Sequence, residues 1–346
     1  MNGARFLARN AFLWRAAFSM STSASPRTVG LVGTGNVGSA VAVGLRKIDV
    51  SVKAFDLQQN NYNFLESTGT TLVNSPEEVT KDVDVLITAL PKPQHVKSAL
   101  EDTGMLSMLK EGSVWIDHTT TDYNETIRLG ELATSKGVHA VEAPLTGGVS
   151  LLKQGLMTVF VGGEEKVVQD VKPLMDSYTA TFLYFGPLGK ATVAKVISNM
   201  LCAAHLVAAG EALMLAKKAG LDMSNFFDGI RYSAGNSYVF ETEVPLMFNG
   251  SYDPDFTIDL HCKDLALGRE IATSNDSPLE LLGLTEDIYR RAMEKYGKDV
   301  GSSFPAKMLE DDTGISQQQP GWEKWSYTME RVSGGGIGVV HRNRGK

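Results

Sequence analysis

The sequence predicts an α/β fold in which a Rossmann-type, doubly wound parallel sheet is followed by a long interdomain helix and an all-helical second domain. Three observations predict it. Short apolar runs alternate with helical segments as far as about Gly189, which is typical of parallel strands joined by helices. A glycine loop at residues 33–38 follows the first of these runs. From Lys190 to Gly220 the residues are nearly all helix formers and are apolar on more than one face, as expected of a buried helix.

The strands are predicted from apolar runs, taken in order along the chain. The first enters the glycine loop, and the second ends at Asp56. The predicted strands are Thr28–Val32, Val50–Phe55, Val83–Leu90, Val114–Ile116, Val138–Val141 and Met157–Val161. Ser75 before Pro76, with Glu77 and Glu78 behind it, predicts the start of a helix, because a serine N-cap and early acids stabilise the first turn.

The two ends of the chain differ from the middle. Residues 1–26 have spaced arginines, many serines and no acid, which favours an organelle transit peptide, mitochondrial first and plastid second, over a disordered tail. We then expect a Rossmann-type domain at 27–189, an all-helical domain at 190–332, and a flexible tail at 333–346 that is Gly-rich and then basic.

Composition narrows the class of protein. The 346 residues carry a net charge of −7, which argues against nucleic acid as a partner, because phosphate binding needs a basic face. No uninterrupted apolar run reaches about 18 residues, so no membrane span is expected. The two cysteines are isolated and the six histidines lack metal-ligand spacing, so we expect neither a disulfide nor a metal.

The glycine loop predicts a dinucleotide site. Gly33, Gly35 and Gly38 follow a strand and open a helix, and Asp56 comes about 20 residues later at a strand end. Gly33 allows the tight turn, Gly35 lets the backbone approach the pyrophosphate, and Gly38 lets helix and strand pack closely. The pyrophosphate would lie on the helix N-terminus, at Asn36 and Val37. Asp56 would bind both ribose hydroxyls and repel a 2′-phosphate, which favours NAD over NADP; the alternative is a glycine turn without a ligand.

Three later segments carry polar groups suited to chemistry. Asp117–Thr121 follows a predicted strand, at the sheet edge where open α/β sheets bind ligands. Thr146-Gly147-Gly148 offers a hydroxyl and flexible backbone N–H groups that suit a small carboxylate. Lys195 and Asn199 lie four residues apart, on one face of the long helix. Each segment has an alternative interpretation. The threonines after Asp117 could cap a helix, Thr146-Gly147-Gly148 could be an ordinary turn, and Lys195 could be a solvated surface residue. The apolar neighbours of Lys195 argue against the last of these.

From about Val29 to Val332 the chain resembles the β-hydroxyacid dehydrogenase family. The landmarks occur in the family's order, although Thr119 and Thr146 stand where serine is usual. They are the glycine loop, Leu90-Pro91, Asp117-x-Thr119-Thr120, Ala143-Pro144-x-Thr146-Gly147-Gly148, Lys195 with Asn199, and Ile258–Asp264.

The resemblance implies a role for each matching residue. Lys195 would be the catalytic acid/base and Asn199 would orient the substrate. The substrate would contact Thr146, Gly147, Gly148, Thr120 and Phe256. The cofactor would contact Gly33, Gly35, Asn36, Val37, Gly38, Asp56, Leu90, Pro91, Thr120, Lys263 and Asp264.

The function implied is hydride transfer between NAD and a short β-hydroxyacid, most simply as in a 3-hydroxyisobutyrate dehydrogenase. A glyoxylate/succinic or tartronate semialdehyde reductase is the alternative, since the segment Tyr232–Ser237, a candidate specificity loop, is short and in this resembles the semialdehyde reductases. A non-catalytic dinucleotide-binding scaffold is an alternative of a different class, against which both Lys195 and Asn199 argue. A flavoenzyme would leave Lys195 and Lys263 unexplained. The resemblance also implies a homodimer or homotetramer, with 27–189 as the NAD-binding domain and 190–332 as the domain for substrate binding and oligomerisation.

Overall fold

The computed structural model describes residues 27–59, 61–253, 255–331 and 337–343. The predicted transit peptide, residues 1–26, lies outside the described residues.

Within the described residues the first half of the chain builds one nine-stranded sheet. Its strands are β1 Thr28–Val32, β2 Ser51–Phe55, β3 Thr71–Leu72, β4 Val85–Thr88, β5 Val114–Asp117, β6 His139–Glu142, β7 Leu145–Thr146, β8 Met157–Gly163 and β9 Thr179–Gly186. The order is β3-β2-β1-β4-β5-β6-β8-β7, with β9 beside β8. Because β1 lies between β2 and β4, the strand order reverses there, and ligands of such sheets bind at this reversal.

The predicted doubly wound parallel sheet is confirmed from β3 to β6, whereas its far edge is mixed. β8 pairs antiparallel with both β6 and β7 and parallel with β9. Between β6 and β8 the chain has only β7 and a seven-residue helix, Gly148–Gln154. A parallel return needs a crossover that carries the chain back along the sheet, and this connection instead folds back on itself.

Helices cover both faces of the sheet. They are α1 Asn36–Arg46, α2 Tyr62–Ser67, α3 Pro76–Thr80, α4 Pro93–Lys97 with a π-helical turn at Ser98–Asp102, α5 Met105–Met108, α6 Tyr123–Ser135, α7 Gly148–Gln154 and α8 Glu165–Met175. The predicted N-cap is present, since the Ser75 hydroxyl accepts from the Glu78 N–H at 3.3 Å, although α3 is only five residues long.

The second half of the chain is built around one long helix. Its helices are α9 Lys190–Lys218, α10 Met223–Arg231, α11 Tyr238–Phe248, α12 Ile258–Ser274, α13 Glu280–Tyr296 and α14 Phe304–Thr313. α9 packs against α11, α12, α13 and α14 and also against β8 and β9, so it joins the two halves as predicted. By length and composition α9 is long and apolar enough to cross a membrane, but the core helix of a folded domain has the same length and composition.

The C-terminal segment differs from the prediction. Instead of helix to residue 332 and a flexible tail at 333–346, the described residues contain an antiparallel hairpin, β10 Ser326–Arg331 with β11 Ile337–Arg342. The tail prediction was therefore wrong for 337–342, and the second domain is not wholly helical. Trp322, just before the hairpin, is fully buried and packs edge-on against Phe227 and Phe248. Burial of this aromatic surface anchors the segment that leads into the hairpin.

Candidate active site

The loop between β1 and α1 has a conformation that two of its glycines require. Gly33 has φ 95°, and a Cβ there would lie 2.4 Å from the Ala89 carbonyl oxygen at the end of β4. At Gly38 a Cβ would lie 1.9 Å from the Gly33 carbonyl oxygen. Gly35 differs, because a Cβ there would meet nothing within 4 Å. Two glycines thus serve packing, and the third leaves an open backbone surface.

The first turn of α1 faces this open surface. Gly35 and Asn36 are exposed and Val37 is half-buried. No side chain caps the N-terminus of α1, so its first N–H groups lack a capping partner. Free N–H groups and the helix dipole favour an anion here. The residues fit the pyrophosphate of a dinucleotide.

Asp56, at the end of β2, holds the same loop. Its Oδ2 accepts from the Thr34 N–H at 2.7 Å and from the Thr34 hydroxyl at 3.1 Å, and its Oδ1 accepts from the Gln58 N–H at 2.8 Å. A carboxylate offers about four acceptor positions. Three are in use among the described residues, which leaves the outer side of the carboxylate for a ligand; binding of both ribose hydroxyls stays a prediction.

The ends of β4 and β5 meet beside the glycine loop. The Leu90 N–H donates to the Thr119 hydroxyl at 3.1 Å, and the Leu90 side chain lies against Gly33, while Pro91 is exposed. Asp117 is buried below them and accepts from the Thr119 N–H at 3.0 Å. Burial raises the pKa of Asp117 to about 6, although hydrogen bonds from Thr119 and Thr88 lower it. Leu90, Pro91 and Thr119 therefore border the dinucleotide surface.

His118, in the same segment, has a structural role. Its Nδ1 lies 2.6 Å from the Ala143 carbonyl oxygen and its Nε2 lies 3.0 Å from the Tyr178 hydroxyl. Burial lowers its pKa to about 4, so the ring is neutral at physiological pH.

The loop Thr146-Gly147-Gly148 runs from β7 into α7. Gly147 has φ 130° and Gly148 has φ 83°, and both values favour glycine over residues with a side chain. Two tyrosine hydroxyls converge on the Gly147 carbonyl oxygen, Tyr238 at 3.1 Å and Tyr327 at 3.4 Å. The loop is thereby joined to α11 and to the C-terminal hairpin.

Lys195 lies in the first part of α9 and is only 7% exposed. Its Nζ donates to the Asn199 Oδ1 at 2.8 Å, one helical turn along the same face. Burial lowers the pKa of Lys195 to about 8; Asp264 and Cys202 raise it, and Lys263 lowers it. At a pH near 8 such a lysine is present in both its protonated and its neutral form, so it can exchange a proton with a reacting group.

A chain of polar contacts links Lys195 across the two domains. The Asn199 Nδ2 donates to the Asp264 Oδ2 at 2.5 Å, and the Asp264 Oδ1 lies 2.9 Å from the Lys263 Nζ. Lys263 also donates to the Thr120 carbonyl oxygen at 2.9 Å, on the loop after β5. The structure thus brings Lys195, Asn199, Lys263, Asp264 and Thr120 into one network.

Phe256 joins this network at one remove. Its ring centroid lies 5.2 Å from that of His261, whose Nε2 is 3.1 Å from the Asn199 carbonyl oxygen. The structure thus places Phe256 beside His261, one contact away from Asn199.

The sequence reasoning missed Glu142, which fixes the start of α9. The buried carboxylate accepts from the N–H groups of Ala191 and Thr192, each at 2.9 Å, and from the Thr192 hydroxyl. An acid at a helix N-terminus is stabilised by the free N–H groups and the dipole. Glu142 thereby fixes the first turn of α9, and Lys195 lies one turn further along the helix. An acid at the end of a predicted apolar strand was the available signal.

Tyr238 and Tyr327 were missed as well. Tyr238 follows Ser237, which caps α11 by accepting from the Phe240 N–H at 3.0 Å. The short segment Tyr232–Ser237 was predicted to set specificity, yet Tyr232 is 86% exposed, and the residue that reaches the Gly147 loop is the next one, Tyr238. Nothing in the sequence around Tyr327 indicates its contact with a loop about 180 residues earlier.

Known proteins share both parts of this architecture. A family model described as the NAD binding domain of 6-phosphogluconate dehydrogenase matches residues 28–186. A second, described as NAD-binding of NADP-dependent 3-hydroxyisobutyrate dehydrogenase, matches residues 189–309. The boundary between the two matches falls directly before α9.

Similar proteins include dehydrogenases of several hydroxyacids. The human mitochondrial 3-hydroxyisobutyrate dehydrogenase is 30% identical over 86% of this chain and 91% of its own length. The 2-(hydroxymethyl)glutarate dehydrogenase of Eubacterium barkeri is 28% identical over 83% and 96%. A Mycobacterium tuberculosis 3-hydroxyisobutyrate dehydrogenase, solved with L-serine, superposes with a TM-score of 0.75 at 26% identity and covers 82% of this chain and 99% of that one.

Proposed function

The chain belongs to the β-hydroxyacid dehydrogenase family and is an NAD-dependent oxidoreductase, and we propose that its substrate is a short β-hydroxyacid of the 3-hydroxyisobutyrate type. The observation that carries the proposal is the buried Lys195. It is hydrogen-bonded to Asn199 and linked through Asp264 and Lys263 to the loop that borders the dinucleotide surface. A buried cation in this place suits a proton transfer beside a cofactor.

Bound NAD would accept the hydride in oxidation, and bound NADH would supply it in reduction. In the oxidative direction the neutral Lys195 amine takes the proton of the substrate hydroxyl, and in reduction the protonated amine donates it to the carbonyl oxygen. Asn199, whose side-chain amide is held by Asp264, orients the reacting oxygen. The backbone N–H groups of Gly147 and Gly148, with the Thr146 hydroxyl, bind the substrate carboxylate.

The cofactor residues are proposed from the geometry of the glycine loop. Gly33 and Gly38 shape it, Gly35, Asn36 and Val37 bind the pyrophosphate, and Asp56 binds the ribose. Leu90, Pro91 and Thr120 border the cofactor, and Lys263 and Asp264 close over it from the second domain.

An activity panel tests the substrate. The purified protein is assayed with NAD and NADP against 3-hydroxyisobutyrate, L-serine and 2-(hydroxymethyl)glutarate. In reverse it is assayed with NADH against glyoxylate, succinic semialdehyde and tartronate semialdehyde. We expect the highest kcat/KM for 3-hydroxyisobutyrate with NAD. A preference for a semialdehyde would favour the reductase alternative, and NADH binding without turnover of any compound would favour a scaffold.

We also propose import into mitochondria. The support is the acid-free, arginine-spaced composition of residues 1–26, together with a relative whose name is mitochondrial. A fluorescent protein fused behind these residues should colocalise with mitochondria, and plastid or diffuse signal would contradict this.

A homodimer or homotetramer formed through the helical domain is proposed on exposed apolar residues. Ile197, Leu201 and Leu215 follow one face of α9 and are 43%, 48% and 70% exposed in the single chain. Apolar faces of this kind often mark an interface. Light scattering after size exclusion should give twice or four times the monomer mass, and Leu201→Glu should reduce it; a monomeric wild type would contradict the proposal.

A further inference from the structure

The C-terminal hairpin β10–β11 reaches the loop that the proposed substrate carboxylate would contact. It lies beyond residue 309, where the second family match ends. We propose that Tyr327, carried on this hairpin, is a substrate-binding residue whose hydroxyl donates to the substrate carboxylate and limits the size of the acid bound beside Gly148. This inference rests on the proposed function.

The hairpin is fixed to the helical domain by its aromatic residues. The Trp325 ring stacks on Tyr327, with centroids 5.4 Å apart, and the Trp325 Nε1 donates to the His341 Nδ1 at 3.0 Å. The other ring nitrogen of His341 lies 3.3 Å from the Glu241 carboxylate on α11. Glu241 also bonds to Arg231 at 3.0 Å. Tyr327 therefore stands on a supported strand, as a binding residue requires.

The same residue is tied to the NAD-binding domain. The Gln154 side chain at the end of α7 donates to the Tyr327 carbonyl oxygen at 3.2 Å. At the other end of α7 the Tyr327 hydroxyl lies 3.4 Å from the Gly147 carbonyl oxygen, and it would lie 3.6 Å from a Cβ at Gly148. The hairpin thus spans both domains and leaves about one atom's width between Gly148 and Tyr327.

A count of hydrogen atoms shows why Tyr327, and not Tyr238, is available to a ligand. Tyr238 makes the shorter bond to the Gly147 oxygen, 3.1 Å against 3.4 Å, and the two hydroxyls are 3.4 Å apart. Each hydroxyl has one hydrogen to donate. With Tyr238 on the Gly147 oxygen, the Tyr327 hydrogen can turn to a carboxylate bound at the Gly147–Gly148 backbone without leaving an acceptor unpaired.

The protonation state of Tyr327 suits this role. The residue is 9% exposed, and burial raises the pKa of its hydroxyl far above neutrality. It therefore remains a donor over the whole working range of the enzyme. Loss of a hydrogen bond to a charged group such as a carboxylate weakens the binding of the ligand about 10- to 100-fold.

The test compares Tyr327→Phe with Tyr184→Phe. The control also loses a tyrosine hydroxyl. Tyr184 lies on β9, and its hydroxyl donates to the Gly163 carbonyl oxygen on β8 at 3.0 Å. We expect Tyr327→Phe to raise KM for 3-hydroxyisobutyrate about 10- to 100-fold, with kcat and KM for NAD changed less than about twofold. Tyr184→Phe should match the wild type. An unchanged KM for the hydroxyacid in Tyr327→Phe would overturn the proposal.

A second variant tests the size limit. Tyr327→Ala should raise kcat/KM for a dicarboxylic β-hydroxyacid, 2-(hydroxymethyl)glutarate, relative to 3-hydroxyisobutyrate by about tenfold or more, since it opens the space beside Gly148. An unchanged ratio in a variant that melts like the wild type would contradict this part.

Binding measurements separate this proposal from the proposed function. Calorimetry of the NADH-loaded protein with 3-hydroxyisobutyrate gives the Kd of a non-reacting complex for wild type and for Tyr327→Phe. A higher Kd for Tyr327→Phe than for the wild type supports the role of Tyr327. If the wild type turns over no hydroxyacid, that result contradicts only the proposed function. Turnover by the wild type with equal Kd values would contradict only the role of Tyr327. No binding to the wild type would contradict both.

Discussion

Replacing Lys195 by methionine should abolish activity and yet stabilise the protein at neutral pH. Methionine has a similar length and no charge, so it removes the cost of burying an ammonium group. The pKa of Lys195 falls from 10.5 to about 8 because the side chain is buried. The folded protein therefore binds the proton less readily than the unfolded chain does.

The sign and size of the effect follow from proton linkage. Above pH 10.5 Lys195 is neutral in both states and its burial carries no charge penalty. As the pH falls towards 8, the unfolded chain takes up the proton first, so the folded state loses stability; below pH 8 the loss is constant. Each pKa unit corresponds to about 1.4 kcal/mol, which gives a penalty of about 3 kcal/mol at pH 7 and below about 1 kcal/mol at pH 10.

Urea unfolding of wild type and Lys195→Met at both pH values measures this. The lost hydrogen bond to Asn199 lowers the stability of the variant similarly at pH 7 and pH 10, so it cancels in the comparison. The stability of Lys195→Met relative to wild type should be higher at pH 7 by about 2.5 kcal/mol than at pH 10. Lys190→Met, an exposed position on the same helix, should show no such pH dependence. Equal differences at the two pH values would refute the account of a desolvated lysine.

Three further predictions concern the cofactor site and the proton transfer. Gly38→Ala should lower the melting temperature by several degrees, because its Cβ would lie 1.9 Å from the Gly33 carbonyl oxygen. In Gly35→Ala nothing lies within 4 Å of the added Cβ, so this variant should melt like the wild type but bind NADH about tenfold or more weakly. Equal melting temperatures for Gly38→Ala and Gly35→Ala would contradict the packing argument. Asp56→Ala should shift the ratio of NADPH to NADH affinity towards NADPH by at least about tenfold in fluorescence titrations, and an unchanged ratio would remove Asp56 from cofactor selection. In the oxidative direction kcat/KM should rise with pH and level off at or below about 8 as Lys195 loses its proton, and a profile flat from pH 6 to 9 would exclude Lys195 as the base.

The features predicted correctly from the sequence are local ones. The glycine loop, with Asp56 behind it, has fixed spacings because a strand, a tight turn and a helix must follow one another there. Lys195 and Asn199 share a face because the helix repeat puts residues four apart side by side, and their 2.8 Å hydrogen bond agrees. The apolar neighbours of Lys195 indicated its burial.

The features missed depend on contacts between distant segments. Glu142 caps a helix that begins about 50 residues later, and only the folded sheet brings them together. β8 runs antiparallel to β6 and β7 because the connection that leads into it is short. Apolar periodicity predicts that a strand is present, but it does not predict the direction of that strand. Composition at 333–336 indicated a tail, whereas the segments on either side pair as strands, with Tyr327 opposite His341. Tyr327 reaches Gly147 only because that hairpin is anchored by tertiary packing.

Steady-state turnover of Lys195→Ala, beside Lys190→Ala, tests the central claim most directly. If Lys195 is the acid/base, its loss should reduce kcat for 3-hydroxyisobutyrate oxidation by at least about 10²–10⁴-fold, while NADH binds as in the wild type. Lys190→Ala, exposed on the same helix, should retain full turnover. Near-normal kcat in Lys195→Ala, with NADH affinity intact, would contradict the mechanism and assign the proton transfer to another group.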